Sequence, residues 1–404
     1  MSDRVVVVGG GIAGVSTIAA LRTAGFDGDL TLVDAGDFPY DRPPLSKDYL
    51  AGKTEIKDIA LQPPQWYVDQ QVRLITGSTV RALRTDIGAV ELGDRSTLLA
   101  DRVVLATGGR AARPPIPGAD NQRVHVLRTA EDADRLRTTL TPGARLLIVG
   151  AGLIGAEVAS TAQGLGCEVV LADPVSPPLV SAFGPYIASW LHHLHETRGV
   201  TTVHGAVEAF HDSGDAISAT LSGEEDPRSF DAVLLAVGMA ADTALAESAG
   251  LSVDRGIIVD PGQVTSNPAV LAVGDAARIC VNGVLTQRSE HWEAGQHDGQ
   301  RAAATILGTP APAETASWFW TDRHSVHVEV VGALNRVDEL VRRGAFGESP
   351  FSMFGLRDGR IVGAVSVDDS AAVRAARRMI DRRIAVDRIQ LGDPGTDLRK
   401  LLRS

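Results

Sequence analysis

Short apolar runs separated by glycine-rich turns and helical segments recur along the chain. They lie at Val5–Val8, Leu30–Val33, Val103–Ala106, Leu146–Val149, Val169–Leu171, Val233–Ala236 and Val270–Val273. Wholly apolar runs that alternate with helices are typical of strands buried on both faces of a parallel sheet. Near the C-terminus, alternating strands are predicted at Val326–Val331 and Ile361–Val365, followed by a basic helix at Ala371–Ile380. The pattern predicts an α/β protein that ends in an α+β domain.

The segments Val5–Gly14 and Leu146–Gly155 are internal repeats. Each is an apolar strand followed by a G-x-G-x-x-G match that opens a helix. In this motif the first glycine permits a tight turn, the second lets the backbone approach a pyrophosphate, and the third allows close helix packing. The helix N-terminus supplies N–H groups for the phosphates. The repeat therefore predicts two Rossmann-like dinucleotide-binding domains.

An acidic residue completes each motif. Asp34 and Asp173 end the strand after each glycine-rich turn, where an acid accepts hydrogen bonds from ribose hydroxyls. Asp173 is followed by Pro174 and Val175, without an arginine or lysine to receive a 2′-phosphate, so NADH is preferred over NADPH. The residues of this second motif are Gly150, Gly152, Leu153, Ile154, Gly155 and Asp173.

Further glycine turns end other apolar strands. The strand at Val270–Val273 leads into an acid that could bind the polyol of a flavin, and two more turns bring backbone close to a ligand. Any one of these turns, taken alone, is equally well a simple loop, because glycine is the default turn residue. The candidate residues are Ala106, Thr107, Gly108, Gly238, Gly274 and Asp275.

Composition narrows the function classes. The 404 residues, 44% of them hydrophobic, are enough for two or three domains. A net charge of −11 argues against general nucleic-acid binding, which needs an excess of Lys and Arg. Neither a signal peptide nor a run long enough to span a membrane occurs, so we expect a cytoplasmic protein. The two cysteines, Cys167 and Cys280, cannot form a Cys-x-x-Cys redox pair, so redox chemistry needs an organic cofactor.

Three histidines, His192, His193 and His195, lie on one predicted helix. Histidines on one helix face can bind a metal, but here no cluster of acids or cysteines completes a ligand set. We therefore expect a solvated helix face and no metal.

Three segments extend the argument beyond the dinucleotide motifs. They are Pro39–Lys47, Arg288–Trp292 and Trp318–Asp322, and the ending Asp393–Leu398 agrees with them. Together they resemble the NADH-dependent ferredoxin and rubredoxin reductases that serve cytochrome P450 and ring-hydroxylating dioxygenase systems, which are glutathione-reductase-type flavoproteins. The resemblance runs from Val5 to the C-terminus. It implies FAD at the first motif, NADH at the second, and a C-terminal domain that covers the flavin.

The resemblance also implies that the NAD domain is inserted in the FAD domain. We expect an FAD-binding domain at 1–112 and 244–318, an NAD-binding domain at 113–243, and a C-terminal α+β domain at 319–404. The Pro-rich patches Arg113–Pro117 and Ala311–Pro312 are suitable places for crossings between domains.

Carried over position by position, the resemblance implies a set of FAD-binding residues. They are Gly9, Gly11, Ala13, Gly14, Asp34, Lys47, Val80, Arg128, Asp275 and Trp292, and the resembling segments add Arg42, Glu290 and His291. A helix that begins near Glu290–Trp292 could direct its positive end at a reduced flavin. Two positions depart from the family, which often has Glu at Asp41 and a Gln-Tyr pair at Arg323–His324. Because that pair follows Asp322 near the expected flavin edge, the departure indicates a different partner or a different docking mode.

Three residues are candidates for catalysis. Lys47 could place a cation by the flavin N5, and Glu157, two residues beyond the third glycine of the second motif, could pair with it and touch the nicotinamide carboxamide. The alternative is an exposed Lys47 and an ordinary first-turn helix acid at Glu157. Trp320 resembles the tryptophan that the family places by the flavin, whereas its aromatic neighbours alone would favour a core position.

The resemblance implies the function, and the missing cysteine pair agrees with it, since a reduced flavin must then discharge to an external acceptor. We expect an FAD-dependent NADH:ferredoxin oxidoreductase that passes single electrons to a small [2Fe–2S] ferredoxin or rubredoxin, bound transiently by a monomer or weak dimer. Arg374, Arg377 and Arg378 are a candidate docking patch, and a solvated helix face is the alternative. Two other functions stay open. One is a flavin reductase of a quinone, oxygen or monodehydroascorbate, and the other is a redox-responsive protein of the apoptosis-inducing-factor type.

Overall fold

The computed structural model describes residues 3–335 and 337–403. In chain order its strands are β1 (Arg4–Val8), β2 (Asp29–Val33), β3 (Val72–Ile75), β4 (Val80–Arg84), β5 (Ala89–Leu92), β6 (Thr97–Leu99), β7 (Arg102–Leu105), β8 (Gly109–Ala111), β9 (Val124–Val126), β10 (Arg145–Val149), β11 (Glu168–Asp173), β12 (Thr201–His204), β13 (Val207–Asp212), β14 (Ile217–Leu221), β15 (Arg228–Phe230), β16 (Ala232–Leu235), β17 (Met239–Ala241), β18 (Ile257–Val259), β19 (Val270–Ala272), β20 (Ala277–Val281), β21 (Val284–Leu285), β22 (Trp318–Arg323), β23 (Val326–Gly332), β24 (Glu339–Arg343), β25 (Phe351–Arg357) and β26 (Arg360–Val367).

The α-helices are α1 (Ile12–Thr23), α2 (Pro64–Asp69), α3 (Ala130–Arg137), α4 (Leu153–Gly164), α5 (Val180–Thr197), α6 (Ala244–Ser248), α7 (Trp292–Leu307), α8 (Ser370–Asp381) and α9 (Arg388–Gly392). The strands predicted from apolar runs are all present, with small shifts at their ends, as is the predicted basic helix α8. Within the two described ranges, no helix combines the length and the apolar character that crossing a membrane requires.

The chain divides into two compact units. The first contains Met1–Pro43, Thr54–Arg110 and Met239–Ala313, and the second contains Pro44–Lys53, Ala111–Gly238 and Glu314–Ser404. The expected crossings near residues 112 and 243 lie a few residues from unit ends. The expected boundaries keep the short segment Pro44–Lys53 in the FAD-binding domain, whereas it belongs to the second unit. The division into three domains stays a prediction.

The first unit is built on a five-stranded parallel sheet in the order β19-β7-β1-β2-β3. Both faces of the central strand are covered, which explains why Val5–Val8 is wholly apolar. Val5 and Val7 pack with Ile18 of α1 on one face. Val6 and Val8 pack with Val90 of the antiparallel β4-β5-β6 sheet on the other face.

The second unit repeats this arrangement and adds another sheet. Its parallel sheet has the order β12-β11-β10-β16-β9, and the antiparallel β13-β14-β15 sheet covers one face. An antiparallel sheet in the order β22-β23-β26-β25-β24 forms the C-terminal part. Helix α5 packs on one face of that sheet, through Phe183 and Leu191 against Val328, and α8 packs on the other face.

Helix α8 shows how local sequence sets this packing. Asp369 precedes the helix and accepts a hydrogen bond from the N–H of Ala372 at 3.1 Å, which caps the first turn. Buried Val373, Ala376 and Met379 recur at helical spacing and face the sheet, whereas Arg374 and other arginines lie on the opposite side.

Candidate functional site

The two glycine-rich turns have nearly the same backbone geometry. Gly9 has a φ of +112° and Gly150 a φ of +99°, which side-chain-bearing residues rarely adopt. A Cβ on Gly9 would lie 2.2 Å from the carbonyl oxygen of Ala106, and one on Gly150 would lie 2.5 Å from that of Ala236. The first glycine of each motif is therefore required by the close approach of a neighbouring strand.

The third glycine of each motif is required by the helix that follows. A Cβ on Gly14 would lie 2.0 Å from the carbonyl oxygen of Gly9. The corresponding distance from Gly155 to the oxygen of Gly150 is 1.9 Å. Both helices rest directly on the turn before them, as a Rossmann-type unit requires.

The second glycine is different, because contacts within the protein do not account for it. A Cβ on Gly152 would meet nothing within 4 Å, and one on Gly11 would meet only the Arg42 side chain, with Nη1 at 3.1 Å. Gly11 and Gly152 are the N-caps of α1 and α4, and no side chain caps either helix. Open space beside uncapped helix N–H groups is the arrangement that a dinucleotide pyrophosphate needs, so both turns fit such a cofactor.

The two strand-end acids tie each turn in place. Asp34 accepts a hydrogen bond from the N–H of Gly36 at 3.0 Å. Burial raises the pKa of Asp34, an effect that this hydrogen bond and the charge of Arg42 oppose. Asp173 accepts hydrogen bonds from the N–H groups of Ala151 and Val175, both at 2.7 Å. Each acid therefore links the glycine-rich turn or its neighbouring loop to the end of a strand.

In the first unit, the segment before Pro43 contacts the start of α7. The indole N–H of Trp292 donates to Asp41 Oδ1 at 2.8 Å. An aspartate is thus long enough at this position, although the family often has Glu there. The helix begins at Trp292, which confirms the predicted start, and burial lowers the pKa of His291 at its N-cap.

The turn at Gly274 and Asp275 is held by two residues that the sequence analysis missed. Asp298 on α7 accepts a hydrogen bond from the N–H of Gly274 at 3.2 Å, and burial raises the pKa of Asp298 to about 6. Arg288 donates to the carbonyl oxygen of Asp275 at 2.7 Å and pairs with Glu290 at 2.6 Å. Arg288 belongs to a segment that carries the family resemblance, whereas no motif marks Asp298.

The remaining expected cofactor residues lie at turns and element ends. Thr107 follows β7 and donates to the carbonyl oxygen of Asp242 at 2.7 Å. Val80 begins β4 in the first unit, whereas Arg128 and Lys47 belong to the second unit. The other residues of this group are Ala13 on α1, Ala106 and Gly108 after β7, Leu153 and Ile154 at the start of α4, and Gly238 before β17.

Within the second unit, half-buried Lys47 and buried Glu157 form an ion pair. Glu157 on α4 is 4% exposed, and its Oε1 lies 3.3 Å from the Lys47 Nζ. The Ser46 and Thr321 hydroxyls donate to the same carboxylate at 2.6 and 2.7 Å. Lys47 Nζ also lies 3.1 Å from Asp322 Oδ2. The alternative of an exposed Lys47 and an ordinary first-turn helix acid at Glu157 is therefore wrong.

Trp320 lies beside this pair. The Lys47 Nζ is 5.6 Å from the centroid of its ring, within the range of a cation–π contact. The ring also stacks on Trp318 at 4.9 Å, and the Trp318 indole N–H donates to Glu329 at 2.7 Å. The structure thus brings together the three residues expected to be catalytic.

Sequence reasoning missed Ser46, Thr321 and Asp322 as parts of this cluster. Ser46 precedes Lys47, and Thr321 and Asp322 directly follow Trp320. The signal that could have found them was their position in the segments that carry the family resemblance. Thr161 on α4 donates to the carbonyl oxygen of Ser46 at 2.7 Å, which anchors the Pro-rich loop to the helix that carries Glu157.

Arg323 and His324 bear on two expectations. They are 3% and 6% exposed, so their side chains do not form a surface that a partner could contact, and the expected difference in partner or docking stays a prediction. His324 Nε2 lies 2.8 Å from His195 Nδ1. His195 is only 1% exposed, so the expected solvated face is wrong at that residue, although His193 is exposed. No group of three or more His, Cys, Asp or Glu side chains in the described ranges could hold a metal ion.

These features define a class of protein. Two Rossmann-type units with uncapped helix N-termini fit two dinucleotides, and the second carries a Lys–Glu ion pair. Cys167 and Cys280 are both free, and no Cys-x-x-Cys pair exists in the sequence. Such a chain is a nucleotide-dependent redox protein whose electrons move through a bound cofactor.

The chain belongs to the pyridine nucleotide-disulphide oxidoreductase family. The model of that family matches residues 3–299, and a reductase C-terminal model matches residues 318–402. The ferredoxin reductase component of chlorobenzene dioxygenase from Cupriavidus sp. (strain PS12) is 35% identical over 100% of this chain and 98% of its own length. Putidaredoxin reductase of Pseudomonas putida is 34% identical over 99% of this chain and 97% of its own length.

Solved structures agree. The reductase chain in the crystal structure of the covalent putidaredoxin reductase–putidaredoxin complex matches with a TM-score of 0.91 and 32% identity, over 99% of this chain and 98% of that one. The predicted fold class is confirmed, with its two Rossmann-like nucleotide units and C-terminal α+β part. The predicted enzyme class, a flavoprotein oxidoreductase of the ferredoxin reductase family, and its cofactors FAD and NADH are also confirmed.

Proposed function

We propose that this chain is the FAD-dependent NADH:ferredoxin oxidoreductase of an oxygenase system. It takes hydride from NADH and delivers single electrons to a small [2Fe–2S] ferredoxin or rubredoxin, which serves a cytochrome P450 or a ring-hydroxylating dioxygenase. The observation that carries the proposal is the Lys47–Glu157 ion pair on the helix that opens the second glycine-rich motif. Relatives of nearly equal length that are named as ferredoxin reductases support it.

Each motif has a proposed set of binding residues. The residues proposed to hold FAD, some of them known only from the family resemblance, are Gly9, Gly11, Ala13, Gly14, Asp34, Arg42, Lys47, Val80, Ala106, Thr107, Gly108, Arg128, Gly274, Asp275, Glu290, His291 and Trp292. NADH is held by Gly150, Gly152, Leu153, Ile154, Gly155, Glu157, Asp173 and Gly238. Bound FAD supplies the conversion of a two-electron hydride transfer into single-electron steps.

Lys47 and Glu157 are proposed to position the reacting groups. Two carboxylates, Glu157 at 3.3 Å and Asp322 at 3.1 Å, restrict the Lys47 Nζ to a narrow region. Glu157 in turn receives hydrogen bonds from Ser46 and Thr321, so its carboxylate is fixed before any ligand arrives. Fixed charges in a site with little water need no rearrangement during the reaction, which is how electrostatic preorganisation lowers a barrier.

Helix α8 is the proposed docking surface for the ferredoxin. Arg374 and Arg378 are exposed on one face, whereas Arg377 is half-buried and donates to the Thr315 hydroxyl at 2.8 Å. An acidic carrier would be attracted to this face, and the attraction would weaken with added salt.

We place the reaction in the cytoplasm, where thiols such as Cys167 and Cys280 stay reduced.

The test is an anaerobic titration of the purified protein with NADH, followed by flavin absorbance, and then addition of a [2Fe–2S] ferredoxin. We expect NADH to bleach the flavin and the ferredoxin to restore its absorbance, more slowly as salt increases. NADPH should reduce the flavin poorly, because a 2′-phosphate would lie beside the Asp173 carboxylate. If the flavin bleaches but ferredoxin leaves it reduced, the proposed acceptor is wrong. If the protein binds no FAD, the whole proposal fails.

A further inference from the structure

The Arg323 side chain is a buried cation that the proposed chemistry does not use. It lies at the end of β22 and is 3% exposed. Burial lowers the pKa of Arg323 to about 10, so the guanidinium stays charged at neutral pH. Its Nη2 donates to Thr321 Oγ1 at 3.3 Å, and its buried Nε has no partner among the described residues. A buried charge with an unmet donor is unfavourable for stability, so folding alone does not account for it.

Thr321 connects Arg323 to the Lys47–Glu157 pair. A threonine hydroxyl has one hydrogen to donate and two lone pairs that accept. A guanidinium can only donate, so Arg323 occupies a lone pair of Thr321 Oγ1. The hydroxyl hydrogen then points to the neighbouring acceptor, Glu157 Oε1 at 2.7 Å. Arg323 therefore favours the orientation in which Thr321 donates to Glu157.

The surroundings direct the charge of Arg323 toward the same carboxylate. Burial lowers the pKa values of His192, His195 and His324, the last two to about 2 and about 4, so His195 and His324 are neutral at neutral pH. A histidine side chain carries no negative charge, so none of these three can balance the charge of the guanidinium. Glu157 is the acid whose charge acts on Arg323, because its negative charge favours the protonated guanidinium.

We propose that Arg323 is a positioning residue, which orients the Thr321 hydroxyl onto Glu157 and thereby fixes the ion pair with Lys47. The effect on hydride transfer rests on the proposed function. The effect on Lys47 does not, and it can be measured without turnover.

The chain offers a direct reporter, because it has only four lysines: Lys47, Lys53, Lys57 and Lys400. In protein labelled with [13C]lysine, the Cε–H signals would be few, and Lys47→Arg would assign the one of interest. The chemical shift of Lys47 Cε reports the position and charge of the groups around its ammonium. The holoenzyme is used, and Lys53, Lys57 and Lys400 serve as internal controls.

The experiment is a double-mutant cycle of Arg323→Met and Thr321→Val. We expect each substitution to move the Lys47 signal, and the double variant to move it no further than the larger single change, because the two residues act in series. Thr321→Ser keeps the hydroxyl and should leave the signal nearly unmoved. Arg342→Met, at an exposed position on β24, is the matched control. An unmoved Lys47 signal in Arg323→Met, or shifts that simply add, would overturn the proposal.

Two further observations keep the test decisive. If Arg323→Met does not fold, Thr321→Val and Thr321→Ser still test whether the hydroxyl controls Lys47. Anaerobic stopped-flow reduction by NADH is then measured on the folded variants, where we expect the rate constant at saturating NADH to fall about 10- to 100-fold. A displaced Lys47 signal with an unchanged rate constant would support Arg323 as a positioning residue and contradict the proposed role of the pair in hydride transfer.

Discussion

The two glycine-rich units share a backbone and differ in the residues that it carries. In both, the first and third glycines allow close approach, and an acid at the end of the next strand binds nearby backbone N–H groups. Two positions beyond the third glycine, the first unit has Ser16 and the second has Glu157. Both side chains are buried. The comparison teaches that the repeated motif sets a shared backbone, whereas a single position in the following helix gives the second unit a buried acid that pairs with Lys47.

The largest expected effect comes from adding a methyl group to the third glycine of each unit. Gly14→Ala and Gly155→Ala would each put a Cβ about 2 Å from a carbonyl oxygen and push the helix off its turn. Gly14→Ala should yield protein without FAD, whereas Gly155→Ala should keep FAD and lose NADH binding by about 100-fold or more. Flavin absorbance and an anaerobic NADH titration measure the two losses. Gly164→Ala, which would meet nothing within 4 Å, is the matched control on α4.

The second effect concerns Glu157. Glu157→Ser gives the second unit the serine that the first unit has at the matching position, Ser16. Lys47 then keeps Asp322 as its acidic partner. We expect the rate constant for flavin reduction by NADH to fall about 100-fold, because moving a reacting group by about 1 Å can slow a reaction by this factor. FAD content should be unchanged. A variant that is reduced as fast as the wild type would show that the difference between the units is not catalytic.

The third effect is on stability in the first unit and depends on pH. Burial raises the folded-state pKa of Asp298 to about 6, above its unfolded value of about 3.9. The unfolded state therefore loses its proton first, and stability falls by about 2 kcal/mol as pH rises from 4 to 6. Asp298→Asn lacks this loss. Denaturant unfolding of both proteins across that range measures it, and parallel pH profiles would contradict it.

A fourth effect has the opposite sign and lies in the second unit. Burial lowers the folded-state pKa of His324 to about 4, below its unfolded value of about 6.5. The unfolded state then binds a proton first, so stability falls by about 2 kcal/mol as pH drops from 6.5 to 5. His324→Tyr, the residue that the family often has here, should remove this loss. A steeper acid dependence in the variant would refute the assignment.

The smallest effect separates binding from folding. Gly152→Ala would add a Cβ with no protein atom within 4 Å, so thermal stability should stay the same or rise slightly. The methyl group would occupy the approach of a pyrophosphate, and we expect the NADH dissociation constant to rise about 10-fold. A titration of the reduction rate with NADH measures this change. If NADH binds normally, the second glycine has no ligand role.

Much of the fold followed from local sequence. Apolar runs such as Val5–Val8 predicted central strands because both faces of a parallel sheet exclude water. The glycines predicted the turns because each turn needs a φ near +100° at its first glycine and a helix that rests on the turn at its third. Lys47, Glu157 and Trp320 were also identified, the last through its resembling segment. Asp298 was not, because a buried acid on a helix has no signature until the turn that it holds is known.

The amino-acid sequence by itself determined the two nucleotide units, their order, the need for an organic cofactor and the family to which the chain belongs. Only the tertiary structure decided which side chains meet. Ser46, Thr321 and Asp322 lie far from Glu157 along the chain, yet all three surround its carboxylate or its lysine. His195 was expected on a solvated helix face, and it is buried instead, next to buried His324 and Arg323, whose burial no local pattern indicated. The physical reason is that motifs record local backbone requirements, whereas the environment of a charge depends on contacts between distant segments.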